Sequence, residues 1–495
     1  MRADPLVIGL DLGTGGARVV VVNAAGKILV TTQAEITRTP QQISLAKQGL
    51  HEQNPESWWT AACTAIGSAM QQISGGADAR RTLRAICVDG TSGTVVGVDR
   101  TGRATTPALM YNDARATSEA VELDSLVRED AETALPGITA SFGIAKMLWI
   151  ERNLAGEAAA THCFAHQADF IAGRMTGQVG VTDYSNALKS GFDLCKESWA
   201  GFIEEYPQLR SRMPRVVAPG EVLGRISSEN ANQLGLPDGL VVIAGMTDGT
   251  AAFLASGASS VGDDNTTLGT TLVFKRLAGH HVKDPAGLIY CHKLPGGWWL
   301  PGAASNVGAD WIARNFSGED LAQLDADAAS LLPTEHLAYP LKMKGERFPL
   351  DSRDIEGFCE PEASGPGVRY AACLQGTAFV ERLGYEVLNR AIGGAGPARS
   401  GDVYATGGGS QSDVWMQLRA DVSGRTFRRP SCPESAFGSA ILAAASILHE
   451  DLGRCSRAMI RIARSFHPDA ARHAACEEFY QRFLSLLEQR GFLSR

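Results

Sequence analysis

A short apolar strand that ends on an aspartate and a glycine-rich turn recurs along this chain, and it constrains the fold more than any other feature. Leu6–Leu10 is an apolar run that leads into Asp11 and the segment GLDLGTGG (9–16). Leu83–Val88 leads into Asp89-Gly90 of DGTSGT (89–94). Leu240–Ala244 leads into GMTDGT (245–250), where Asp248 precedes the apolar stretch AAFLAS. Further on, Asp264–Leu268 and Thr271–Leu277 flank Gly269-Thr270 and predict a hairpin. Between these, residues 55–73 have helical spacing, with Trp58, Ala62, Ile66 and Met70 on one side. A strand–turn layout that returns in both halves predicts an α/β fold with two related domains facing a cleft, divided near residue 255.

Composition narrows the class. Of 495 residues, 44% are hydrophobic and 20% charged, which supports a large core and excludes wholesale disorder. The net charge of −8 argues against a nucleic-acid binder, although glycine loops and helix N-termini can still hold small anions. Ten cysteines without a CxxC pair predict free thiols in a reducing compartment and no zinc site. The start MRADPLVIGLDLG lacks the apolar core of a signal peptide, and the run at 436–448 is too short to span a bilayer. The expectation is a soluble, cytoplasmic protein with no membrane contact.

Each strand-end motif has a chemical and a plain structural reading. At 9–16, Asp11 could hold metal-bound water while turn amides and Thr14 hold phosphate oxygens; the alternative is an ordinary hairpin turn. In DGTSGT, Thr91 and Ser92 could hydrogen-bond a polyol, or merely cap a glycine turn. Asp248 could cap a helix, or act as a general base on a sugar hydroxyl during phosphoryl transfer. LGTT (268–271) and TGGGSQSDVWMQLRAD (406–421) offer open backbone to a nucleotide, but they match neither GxGxxG nor GxxxxGK[ST]. His280-His281 and Arg428-Arg429 are expected as solvated pairs, and Trp58-Trp59 and Trp298-Trp299 as packing residues.

Taken in order, these segments resemble the FGGY carbohydrate kinases. The resemblance runs from GLDLGTGG at 9 to about 448 and includes HEQNPESWW (51–59), PALMYNDARA (107–116), KMLWIERN (146–153), KGERFP (344–349) and GGGSQSDVWMQLRADVSG (407–424). It implies two actin-like, ribonuclease-H-like domains around a catalytic cleft, with 1–255 on the sugar side and 256–495 on the nucleotide side. It implies ATP and Mg²⁺, and a homodimer, since family members are often dimers. DGTSGT, HQADF (166–170) and DYSNALKSGFD (183–193) are most similar to xylulokinase-like kinases that act on ribulose, which implies D-ribulose, then D-xylulose, converted to the 5-phosphate.

Carried over by position, Asp248 is the base and a sugar contact. Asp11 serves metal and sugar, and Thr14 serves phosphate. Ser92 and Tyr111 contact sugar, Gly269 and Thr270 form a second phosphate hairpin, and Gly408, Gly409 and Asp413 meet adenosine. The chain departs from the family pattern at Asp413, where Asn is frequent, and at Gly143, where Ser, Thr or Pro is usual. Ser92-Gly93 replaces the Arg-Glu pair of glycerol kinases, which argues against glycerol. An actin-like ATPase with conformational output, or a kinase for another ketose or polyol, remains the alternative on sequence alone.

Overall fold

Valine-rich alternation makes the first residues a meander of β1 (Leu6–Leu12), β2 (Gly16–Asn23) and β3 (Ile28–Glu35), each antiparallel to the next. In this computed structural model, which describes residues 4–73, 76–130, 132–284, 286–393, 401–449 and 451–493, three more strands extend that sheet. They are β4 (Leu83–Gly90), β5 (Val222–Arg225) and β6 (Val241–Thr247), and the order is β5-β6-β4-β1-β2-β3. β4 runs parallel to β1, β6 runs parallel to β4, and β5 closes the edge antiparallel. The helix Pro55–Gln72 lays Trp58, Ala62, Ile66 and Met70 on the sheet, all buried, as its spacing predicts.

The chain forms two compact units, and the α/β class is as expected. The first takes Met1–Ala255, His292–Gly297 and Glu434–Ile460; the second takes Ser256–Cys291, Trp298–Pro433 and Arg461–Arg495. The segment 434–460, grouped with the second half on sequence grounds, therefore belongs with the first. The reason is steric. A Cβ on Gly9 of β1 would lie 1.7 Å from the carbonyl oxygen of Ala436, so only glycine admits the helix Ser435–Ala444 at that distance. Every residue from Ala436 to Ala444 of that helix is buried.

In the second unit, β7 (Asp264–Leu268), β8 (Leu272–Arg276) and β9 (Trp298–Ser305) form an antiparallel meander. β10 (Val403–Thr406) runs parallel to β7 and β11 (Phe427–Pro430) parallel to β10, while β12 (Ile462–Phe466) closes antiparallel. Six of the seven strands of this sheet run in the order β9-β8-β7-β10-β11-β12, which matches β3-β2-β1-β4-β6-β5 in every relative direction. The repeat that was faint in residue identity is thus plain in topology. The helix Pro366–Ala391 crosses the core of this unit.

Two local expectations fail. Arg428 pairs with Asp402, and Arg429 pairs with Asp413 at 2.9 Å, so this is no solvated pair. His281 is half-buried and packs edge-on against Trp299 at 4.9 Å, leaving only His280 exposed. No disulfide joins any of the ten cysteines. Among the described residues no helix is long and apolar enough to cross a membrane.

Candidate active site

Strand register brings the acidic residues of the first unit together. Asp11 pairs across to Asp89, Leu12 to Gly90, and Gly90 in turn to Thr247. Asp248 follows Thr247 directly and opens the helix Asp248–Ser256. Three carboxyl groups thus stand at the C-terminal ends of three neighbouring parallel strands, where open α/β sheets bind ligands.

The three differ in environment. Asp89 is completely buried, and its Oδ2 accepts the Ser439 hydroxyl at 2.6 Å. Its Oδ1 has no donor in the protein. Burial, and after it the charge of Asp11, holds the Asp89 carboxyl well above the usual carboxylate range; the Ser439 bond opposes this and Asp248 adds to it. The two acidic side chains are therefore electrostatically linked across β1 and β4. Asp11 is 5% exposed and accepts from its cross-strand partner, Arg18 Nη1, at 3.3 Å.

Asp248 is half-buried, and its Oδ1 accepts the Gly249 N–H at 2.6 Å. Its backbone carbonyl accepts the Ser435 hydroxyl at 3.2 Å. Lys189 lies over the Phe142 ring at 5.7 Å, and its Cδ sits 3.4 Å from where a Gly93 Cβ would be. Burial lowers the Lys189 ammonium, and the nearby Asp248 charge opposes this in part.

The DGTSGT turn is fixed from beneath. Gly93 has φ +89°, and a Cβ there would meet the Ser141 carbonyl oxygen at 2.3 Å. The N–H and hydroxyl of Thr91 both donate to Gln167 Oε1, at 3.0 and 2.8 Å. Thr91 also shares a hydrogen bond with Thr94 at 2.6 Å. Thr91 is thus turned inward, which removes it as a polyol contact. The Ser92 hydroxyl is left buried with no partner, the state of a group that awaits a ligand. Tyr111 is 39% exposed, and its N–H donates to Thr94 Oγ1 at 3.1 Å, tying it to the same turn. Thr14 is half-buried in the β1–β2 turn, where its carbonyl accepts Gln53 Nε2 at 2.8 Å.

Next to this turn, the Thr247 N–H donates to Ser185 Oγ, which donates to Asp183 at 2.5 Å. Burial, and then the Asp169 charge, pushes the Asp183 carboxyl up to about 6. Lys146 is fully buried with its Nζ on the Ala140 carbonyl at 2.8 Å, and burial pulls it down to about 7.

The remaining predicted residues lie in the second unit. Gly269 and Thr270 form the tip of the β7–β8 hairpin, held by the Gly269 N–H on the Thr271 carbonyl and the Ala309 N–H on the Gly269 carbonyl at 2.7 Å. Thr270 is exposed. After β10, Gly407 takes φ +83° and a single 3-10 turn, Gly408–Ser410, leads to the helix Asp413–Ser423. Gly408 is exposed, whereas a Cβ on Gly409 would lie 2.4 Å from Leu268 Cδ2, so Gly409 serves packing against the β7–β8 hairpin. Asp413 is ion-paired to both Arg429 and Arg464. Asn could not make those pairs, which gives the unusual carboxylate a structural partner set.

The sequence reading did not single out four residues. Asp89 and Lys189 lay inside quoted motifs, where a lone carboxylate at a strand end and a lone lysine were the available signals. Gln167 lay in HQADF. Ser439, which bonds Asp89 from 350 positions away, carries no local signal at all.

Comparison with known proteins agrees with this geometry. The N-terminal domain of the FGGY family of carbohydrate kinases matches residues 6–255, and its C-terminal domain matches 265–447. A protein named xylulose kinase from Escherichia coli (strain K12) is 26% identical, covering 98% of this chain and 99% of that one. One of the same name from Streptomyces coelicolor is 28% identical over 92% of this chain and 90% of its own length. Among solved structures, a xylulose kinase from Rhodospirillum rubrum has a TM-score of 0.83 at 26% identity, covering 98% of both chains. A gluconate kinase from Lactobacillus acidophilus has a TM-score of 0.84 at 18% identity, covering 98% of both, and shares the fold. Matched from residue 6 to residue 447, with both domains in order, the chain belongs to the FGGY family of carbohydrate kinases.

Proposed function

We propose that this kinase transfers the γ-phosphoryl group of ATP to the terminal hydroxyl of a pentulose, D-ribulose first and D-xylulose second, giving the 5-phosphate. The observation that carries the reading is the meeting of Asp11, Asp89 and Asp248 at adjacent strand ends, beside the unpartnered Ser92 hydroxyl. Relatives named xylulose kinase along nearly the whole chain support a pentulose. The DGTSGT, HQADF and DYSNALKSGFD segments favour ribulose among pentuloses.

In this reading the domain 1–255 takes the sugar and the domain 256–495 takes the nucleotide. Asp248 accepts the proton of the sugar hydroxyl, late, because phosphoryl transition states are loose and demand little basicity. Lys189 lies within electrostatic reach of Asp248. Ser92 and Tyr111 orient the sugar, and Asp11 contacts it as well. Thr14, Gly269 and Thr270 bind phosphate oxygens, while Gly408, Gly409 and Asp413 form the adenosine side.

Asp11 and Thr14 offer oxygen donors only, which suits Mg²⁺. Among the described residues no three His, Cys, Asp or Glu side chains form a metal cage. Asp11 would hold its water. When bound, the ion offsets the charge on the transferring phosphoryl oxygens. A homodimer in the cytoplasm completes the reading, and ten cysteines without a disulfide fit that compartment.

The test is ADP release with Mg²⁺ near neutral pH across D-ribulose, D-xylulose, L-ribulose, ribitol, xylitol, glycerol and buffer alone. The largest stimulation is expected with D-ribulose, a smaller one with D-xylulose and none with glycerol. Rapid hydrolysis that no sugar stimulates would overturn the assignment.

A further inference from the structure

Ser92 and Tyr111, the two residues expected to orient the sugar, adjoin one chain of buried hydrogen bonds that ends on Gln167. Gln167 Oε1 accepts both the N–H and the hydroxyl of Thr91, the residue before Ser92, at 3.0 and 2.8 Å. The Thr91 and Thr94 hydroxyls share a bond of 2.6 Å, and Thr94 Oγ1 accepts the Tyr111 N–H at 3.1 Å. Gln167 and Thr94 are fully buried, and Thr91 is 4% exposed.

The direction of every bond in this chain is fixed. A backbone N–H only donates, so the Gln167 atom that meets Thr91 must be the oxygen. The Thr91 hydroxyl gives its one proton to that oxygen, so the Thr94 hydroxyl must donate to Thr91. Thr94 then meets the Tyr111 N–H with a lone pair. The chain therefore needs an acceptor at position 167, and an ammonium or an apolar side chain there would break it. Gln167 Nε2 is buried with no partner among the described residues, so what the side chain contributes is its oxygen. Gln167 is itself held in place. It opens the helix Gln167–Thr176 directly after His166, whose N–H donates to Asp169 Oδ2 at 2.9 Å and whose Nε2 bonds Ser190 Oγ at 2.8 Å. On β4, a Cβ on Gly90 would lie 3.1 Å from Gln167 Cβ and from the Ala168 nitrogen, so the glycine makes room for the amide to approach.

We propose that Gln167 is a positioning residue for sugar recognition. By anchoring Thr91 and, through Thr94, the backbone of Tyr111, it fixes the spacing between Ser92 and Tyr111 and so sets the affinity for the pentulose. This inference rests on the sugar-side roles proposed above for Ser92 and Tyr111.

The experiment is steady-state kinetics of the full chain with ATP and D-ribulose, or D-xylulose if that is the faster substrate. Gln167→Met and Thr91→Val break the chain at its two ends, and each should raise the sugar KM about tenfold while the KM for ATP stays within about twofold. Thr91→Ser, which keeps the hydroxyl, should stay within about threefold of the parent. The double variant Gln167→Met/Ser92→Ala should raise the sugar KM by less than the product of the two single effects, because Gln167 acts through the turn that carries Ser92. Should Gln167→Met fail to fold, Thr91→Val against Thr91→Ser decides alone. Single effects that multiply, KM values for both substrates that rise together, or a sugar KM that none of the chain-breaking variants moves would overturn the proposal. If Ser92→Ala raises the sugar KM and Gln167→Met does not, the positioning role alone falls; if neither does, the sugar-side reading of this turn falls with it.

Discussion

Asp11 and Asp89 pair across neighbouring parallel strands, and burial together with the Asp11 charge holds the Asp89 carboxyl well above the usual carboxylate range. An uncharged amide at position 89 can take its place, donating to Asp11 and accepting from Ser439. Asp89→Asn should therefore keep kcat within a few-fold of the parent. Asp11→Asn, which removes the ionised partner, should lower kcat by about a hundredfold or more. Steady-state kinetics with D-ribulose decides it: equal losses in the two variants would mean that Asp89 works as an anion.

Asp248→Asn keeps the shape of the side chain and removes its basicity. A general base of this kind contributes about 10²–10⁴ in rate. We expect kcat to fall by that range with the KM for ATP little changed, because the nucleotide contacts are assigned to other residues. Thermal melting should match the parent within a few degrees.

Ser92→Ala tests the sugar side. The hydroxyl has no partner within the protein, so its loss strands no other group there. The KM for D-ribulose should rise about tenfold, in line with one hydrogen bond, while the KM for ATP holds. A mutant with unchanged sugar KM would remove Ser92 from the sugar contacts.

How far the sequence foretold these sites depends on the range of the interaction. Asp11, Ser92 and Asp248 were legible because a strand end and its glycine turn are written within eight residues. The three-strand register that puts Asp89 between Asp11 and Asp248 needs β1, β4 and β6 side by side, and pairings such as Asp11 with Asp89 and Thr247 with Gly90 leave no local mark. Thr91 stayed between two readings for the same reason: the amide that draws it inward, Gln167, comes 76 residues later. In the second unit, the arginines 428 and 429 looked solvated until Asp402 and Asp413 stood beside them.

Lys146 gives a pH signature in stability. Its folded value is about 7, against a usual value of 10.5. Between those pH values the unfolded chain binds a proton that the folded chain has released, so this lysine makes stability rise with pH across that window, while buried thiols and phenols with raised values, such as Cys87 and Tyr385, act in the opposite sense at its alkaline end. Denaturant melts at several pH values should show the parent gaining stability relative to Lys146→Met as pH rises from 7. A difference between the two that stays constant or shrinks over that range would contradict the burial assigned to this lysine.

The helix Ser435–Ala444 lies on β1 at Gly9, although more than four hundred residues separate them in the chain. During synthesis, the first sheet therefore emerges from the ribosome long before the element that covers one of its central strands. The N-terminal half must wait, with the apolar flank of β1 open to chaperones, until the last eighth or so of the polypeptide arrives. Expressing residues 1–255 alone would make that waiting state permanent.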